Sequence, residues 1–74
     1  MDKARQEFII KFGQNLKRIR QQKKITQVEL AIDSNMEVSQ ISRIERGVQN
    51  TTISTAYLIA EAMGIDVYEL FKFE

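Results

Sequence analysis

Thr26-Gln27-Val28-Glu29-Leu30-Ala31, followed by Met36-Glu37-Val38-Ser39-Gln40-Ile41-Ser42-Arg43-Ile44-Glu45-Arg46-Gly47, is the stretch that decides the fold. Thr26 is a good helix N-cap, and Glu29 three residues on completes a capping-box pattern. The helix it opens runs to about Asp33 with Leu30 and Ala31 facing inward. Ser34-Asn35 then breaks it, since Asn tolerates the left-handed conformation of a helix C-terminus. A second helix follows at once. Glu37 stands where it can cap that helix or favour its positive end, Ile41 and Ile44 form its inward pair, and Gly47 closes it. Two short helices joined by three or four residues, the second ending in Gly, make a helix-turn-helix unit over about residues 26–47.

The flanking segments are helical as well. From Lys3 or Glu7 to Gln22, Phe8, Ile9, Phe12, Leu16 and Ile19 recur at three- and four-residue intervals and give one apolar stripe. Lys11, Lys17, Arg18 and Gln21 lie off it, and Gly13 inside it costs about 1 kcal/mol relative to alanine. Thr52 caps a helix over about Ile53–Met63 that stops at Gly64, with Ile53, Ala56, Ile59, Ala60 and Met63 on one side and Tyr57 beside them. A last short helix is expected over Val67–Phe73, capped by Asp66, with Val67, Leu70 and Phe71 inward. Proline is absent and no apolar/polar alternation is sustained, so the expected fold is all-α, five helices in a single domain over residues 1–74.

A chain of 74 residues buries only about 60% of its unfolded surface, so stability should be marginal without a partner. With 43% apolar and 28% charged residues the balance is that of a globular domain. There is no Cys and no His, which removes disulfides, Cys/His zinc sites and His- or Cys-based nucleophilic catalysis. No paired carboxylates suggest another chemistry, so the expectation is a non-enzyme without cofactors. No apolar run reaches the roughly 18 residues of a membrane span and no signal-peptide core stands at the N-terminus, so a cytoplasmic protein is expected. The net charge of +1 hides an asymmetry: residues 1–24 carry eight Lys or Arg against two acids, whereas residues 51–74 carry one against four. One basic end suits a protein that presents a face to a polyanion.

The strings Ile25–Ala31, Met36–Gly47 and Ile53–Phe71, in this order and spacing, resemble the phage repressor and Cro-like (XRE-type) helix-turn-helix transcriptional regulators, over about Phe8 to Phe71. The resemblance implies a compact five-helix lambda-repressor-like domain that binds double-stranded DNA sequence-specifically, its third helix lying in the major groove with the N-terminal part at base edges. Compact stand-alone members include restriction-modification controller proteins, Cro-like repressors and antitoxins, and the sequence does not choose among them. The alternative is a protein-interaction module or antitoxin subunit using the same fold without DNA. Glu37 is the one acid on the expected DNA face, which favours DNA.

With Ile41 and Ile44 inward, Val38, Ser39, Ser42, Arg43 and Arg46 are left on outward or flanking faces. Arg43 is the sharpest base reader, able to pair bidentately with guanine; its other reading is a phosphate contact. Val38 either meets a thymine methyl or folds back onto Met36. Ser39 and Gln40 can reach base or phosphate. From the resemblance, Gln27 bonds a phosphate at the start of the second helix and braces the recognition helix, and Arg46, Gln49, Asn50 and Thr51 run beside the sugar-phosphate backbone. The family often has proline where Thr51 stands, which leaves the stiffness of that loop open. Lys23 and Lys24 add long-range attraction. The resemblance also implies a partly buried structural ion pair between Arg20 and Glu45. A single domain reads only a few base pairs, so a homodimer on a pseudo-palindromic operator is expected. Its interface candidates are Met63, Ile65, Tyr68, Phe71 and Phe73 in the 63–74 region; their other reading is the core of a monomer. No small-molecule ligand is expected.

Overall fold

The computed structural model describes residues 2–74. Four α-helices follow one another, α1 (Lys3–Gln22), α2 (Gln27–Ser34), α3 (Val38–Glu45) and α4 (Ile53–Met63), and a 3-10 helix over Val67–Phe71 ends the chain. No strand forms among the described residues. The expected fifth helix is therefore a five-residue 3-10 turn, shorter than Val67–Phe73, and the Asp66 side chain makes no capping hydrogen bond.

Local chemistry sets the boundaries. Asp2, Thr26 and Thr52 each accept a hydrogen bond from the backbone N–H three residues on, and Thr26 with Glu29 completes both halves of a capping box. Every α-helix ends through a residue with positive φ: Lys24 (59°), Asn35 (57°), Gly47 (74°) and Gly64 (72°). In each case the next N–H reaches back over the last turn: Ile25 to Arg20 O, Met36 to Ala31 O, Val48 to Arg43 O and Ile65 to Ala60 O, at 2.8–3.1 Å. These are Schellman closures, which satisfy carbonyls the helix leaves orphaned. Glu37 occupies the N-cap of α3 without a side-chain bond, so its part there is limited to charge. The helix itself starts at Val38 and ends at Glu45, inside the expected Glu37–Gly47.

The core joins Phe12, Leu16 and Ile19 of α1, Leu30 and Ala31 of α2, Ile41 and Ile44 of α3, Ala56, Ile59, Ala60 and Met63 of α4, and Leu70. Phe8 and Ile53, expected inward, stand largely outside it, Ile53 at 86% exposure. Ile53 is the first residue of α4, whereas Phe8, on the second turn of α1, packs its ring against Phe71 and Phe73 at 6.4 and 5.2 Å, on the edge of the core. Gly13 reads differently in three dimensions than by helix propensity. A Cβ there would sit 2.2 Å from Ile44 O and 2.7 Å from Glu45 O, so glycine lets α1 lie directly against the end of α3. Asn15, buried on the same helix, donates through Nδ2 to Glu69 O and Leu70 O at 3.0 and 2.9 Å, tying down the 3-10 helix.

Candidate nucleic-acid interface

α3 is pinned from beneath by three residues. Ile41 and Ile44 have essentially no exposure, and Glu45 is buried beside them. A carboxylate taken out of water needs partners, and Glu45 has three hydrogen bonds. Arg20 Nε donates to Oε2 at 2.6 Å and Nη2 to Oε1 at 3.0 Å, while Gln27 Nε2 donates to Oε1 at 3.0 Å. Arg20 Nη1 donates in turn to Ile25 O at 2.8 Å. One fork therefore binds α1, the start of α2 and the end of α3. Gln27 thus reaches α3 through this carboxylate.

The opposite face of α3 is open. Val38, at 39% exposure, with Ser39 and Arg43 faces outward, while Gln40 is half-buried. Val38 is thus not folded away beneath the helix start. Arg46 is exposed at the C-cap, its Nε donating to Ser42 Oγ at 3.3 Å. Arg43 Nε donates to Gln49 Oε1 at 2.9 Å across the turn that Gly47 makes. In the loop beyond, Asn50 is exposed and its Oδ1 accepts from Thr51 N at 2.8 Å. Thr51 departs from the expected loop set: its Oγ1 is buried without a hydrogen-bond partner, so the hydroxyl does not face a ligand outside. The exposed Lys11, Lys17, Arg18, Lys23 and Lys24 of the basic N-terminal third are free of acidic partners within salt-bridge distance among the described residues.

The C-terminal candidates separate into two groups. Met63, 4% exposed, belongs to the core and offers no surface to a partner; it closes α4 against the other helices. Ile65 and Phe73 are partly buried against that core. Tyr68, at 55%, and Phe71, at 42%, stay exposed, although Phe71 also packs against Phe12 and Phe8 with ring centroids 5.0 and 6.4 Å away. Tyr57, Leu58 and Ile53 of α4 are exposed too, and the sequence did not single them out as a surface. Inward and outward sides of an apolar helix cannot be told apart by composition when nearly every residue is apolar.

The site's architecture has known counterparts. A helix-turn-helix family profile matches residues 16–70. The control protein C.BamHI of Bacillus amyloliquefaciens is 33% identical over 63 residues, covering 84% of this chain and 78% of that protein. The immunity repressor protein of Bacillus phage phi105 is 44% identical over 55 residues, 74% of this chain; the match spans 38% of the repressor's length. The crystal structure of the restriction-modification controller protein C.AhdI from Aeromonas hydrophila superposes with a TM-score of 0.83 at 35% identity, covering 85% of this chain and 96% of that one. The chain belongs to the helix-turn-helix family and is a DNA-binding transcriptional regulator.

Proposed function

We propose that this protein works in the cytoplasm as a homodimer, each copy placing the N-terminal half of α3 in the DNA major groove over one half-site of a pseudo-palindromic operator. The observation that carries this reading is the division of α3: Ile41, Ile44 and Glu45 are buried, while Val38, Ser39 and Arg43 stand open on the other side. Arg43 takes a guanine, Val38 a thymine methyl, and Ser39 and Gln40 the neighbouring base edges or phosphates. Arg46, Asn50 and the start of α2 at Gln27 meet the sugar-phosphate backbone. The 26–47 unit reads DNA, and exposed Tyr68 and Phe71 in the 63–74 region meet the second copy. Similarity to C.BamHI, C.AhdI and the phage phi105 immunity repressor favours control of a restriction-modification or phage-type operon.

Selection of bound sequences from a random DNA pool, followed by affinity measurements across salt, tests this. Affinity should fall steeply as salt rises, by counterion release, and the enriched sites should carry two related half-sites. Arg43→Ala should relax the preference at one base pair per half-site, whereas Arg46→Ala should weaken all sequences alike. No enrichment at low salt would instead assign the fold to holding a protein partner.

A further inference from the structure

Gln49 stands outside the helix-turn-helix unit, and its loop position marks it as a backbone contact. Its side chain is committed elsewhere. The closure after α3 turns the chain sharply: Gly47 adopts φ +74°, its N–H donates to Ile44 O at 3.0 Å, and Val48 N–H donates to Arg43 O at 3.1 Å. Ile10 of α1 presses on the outside of this turn, so close that a Cβ on Gly47 would fall 2.7 Å from Ile10 Cγ1. The reversal carries half-buried Gln49 back beside the residue from which the turn started, and Arg43 Nε donates to Gln49 Oε1 at 2.9 Å. Neither Nη1 nor Nη2 of Arg43 has a hydrogen-bond partner among the described residues.

A guanidinium presents five N–H donors in a rigid plane. With Nε engaged, the bidentate edge still open is the terminal one, Nη1 with Nη2, which fits the two acceptors N7 and O6 of guanine. We propose that Gln49 is a positioning residue for base recognition: it holds Arg43 end-on to the groove, so that Arg43 reads a base pair instead of swinging to the nearest phosphate. The proposal rests on the reading of Arg43 as the base contact. It moves Gln49 from the phosphate set to the specificity set. The restraint also limits the rotamer freedom that an exposed arginine loses on docking.

Three variants test it in sequence selection and salt-dependent affinity measurements: Arg43→Ala, Gln49→Met, which keeps length but removes the acceptor, and Gln49→Glu, which keeps an acceptor at the same place. A bidentate pair gives roughly 5- to 150-fold preference for the right base. Gln49→Met should erode most of that preference at the same base pair that Arg43→Ala relaxes, and Gln49→Glu should retain it while binding all DNA more weakly. If Gln49→Met keeps the preference but weakens all sequences uniformly with a shallower salt slope, Gln49 is a phosphate contact and the proposal fails while the Arg43 reading stands. If Arg43→Ala leaves every base preference intact, both fail. The nitrogen-15 resonance of Arg43 Nε–H in the free protein gives a reading independent of DNA: it should move in Gln49→Met, and an unchanged resonance overturns the restraint.

Discussion

Glu45 accepts from donors on two other elements, Arg20 of α1 and Gln27 of α2, and so joins three helices through polar atoms. Its burial makes the arrangement one-sided: leaving either charge without the other strands an ion away from water, at about 3–5 kcal/mol, although the intact pair adds little net stability over apolar packing. Arg20→Met and Glu45→Met should therefore each destabilise by about that much, a large part of the 5–15 kcal/mol typical of a domain. Arg20→Met combined with Glu45→Met should cost clearly less than the sum of the separate substitutions. Urea unfolding of the singles and the double in one cycle checks this; additive effects would mean that the fork is no more than a surface pair. Loss of Gln27→Ala stability should be smaller, because a neutral donor leaves behind a carboxylate that Arg20 still holds.

At the scale of the elements, what was legible in sequence was what is local. Thr26, Glu29, Asn35, Thr52 and Gly64 announce helix ends because each acts on backbone within a few residues, and the inward pair Ile41/Ile44 follows from helical spacing alone. Gly13 was misread as a weak point for the opposite reason, since the carbonyls of Ile44 and Glu45 that it admits lie on another helix. The two views predict opposite signs. Propensity gives Gly13→Ala a gain of about 1 kcal/mol, whereas the close approach to backbone predicts overpacking and a net loss of roughly 1–3 kcal/mol. Thermal melts decide it, and a raised midpoint would overturn the packing account. The Arg43–Gln49 bond was equally hidden, because a six-residue separation becomes a contact only through the reversal at Gly47. The capping box, by contrast, carries a pH signature. The backbone N–H and then the hydroxyl of Thr26 hold the Glu29 carboxyl below its usual value of 4.5. A lowered folded value stabilises the fold above the unfolded value and loses that contribution as pH falls through the folded one. The stability gap between the wild type and Glu29→Gln should thus be constant above about pH 4.5 and shrink below it. A gap that widens in acid would show that the box does not act through the ionised carboxylate.

For the whole molecule, the question is how so small a reader reaches useful specificity. Eight residues of α3 span about 12 Å, enough for a few base pairs, and half-sites on one face of B-DNA repeat at about 34 Å. The molecule measures 32 Å along its longest axis and 22 and 20 Å across, so two copies in contact can set their α3 helices about one turn apart. The basic surplus in residues 1–24 and the acidic surplus in residues 51–74 suit such a pair, one end attracted to phosphate and the other kept from it. The surface left for pairing is defined by what the core does not use. Met63 is consumed by the core and Phe71 is shared with Phe8 and Phe12, which leaves Tyr68, 55% exposed, as the aromatic candidate with least structural duty; Lys72 Nζ lies over its ring at 5.0 Å. Tyr68→Asp should therefore leave the thermal midpoint of the dilute protein nearly unchanged, yet shift sedimentation from dimer to monomer at micromolar concentration. Loss of the second half-site removes a binding event that is effectively intramolecular, so affinity for a full operator should drop by roughly 100-fold or more, while affinity for an isolated half-site stays the same. Sedimentation velocity and titrations against full and half operators read the two effects separately. A variant that remains dimeric and keeps its full-operator affinity would move the pairing surface to Ile53, Tyr57 and Leu58 of α4, the remaining exposed apolar side chains on that helix.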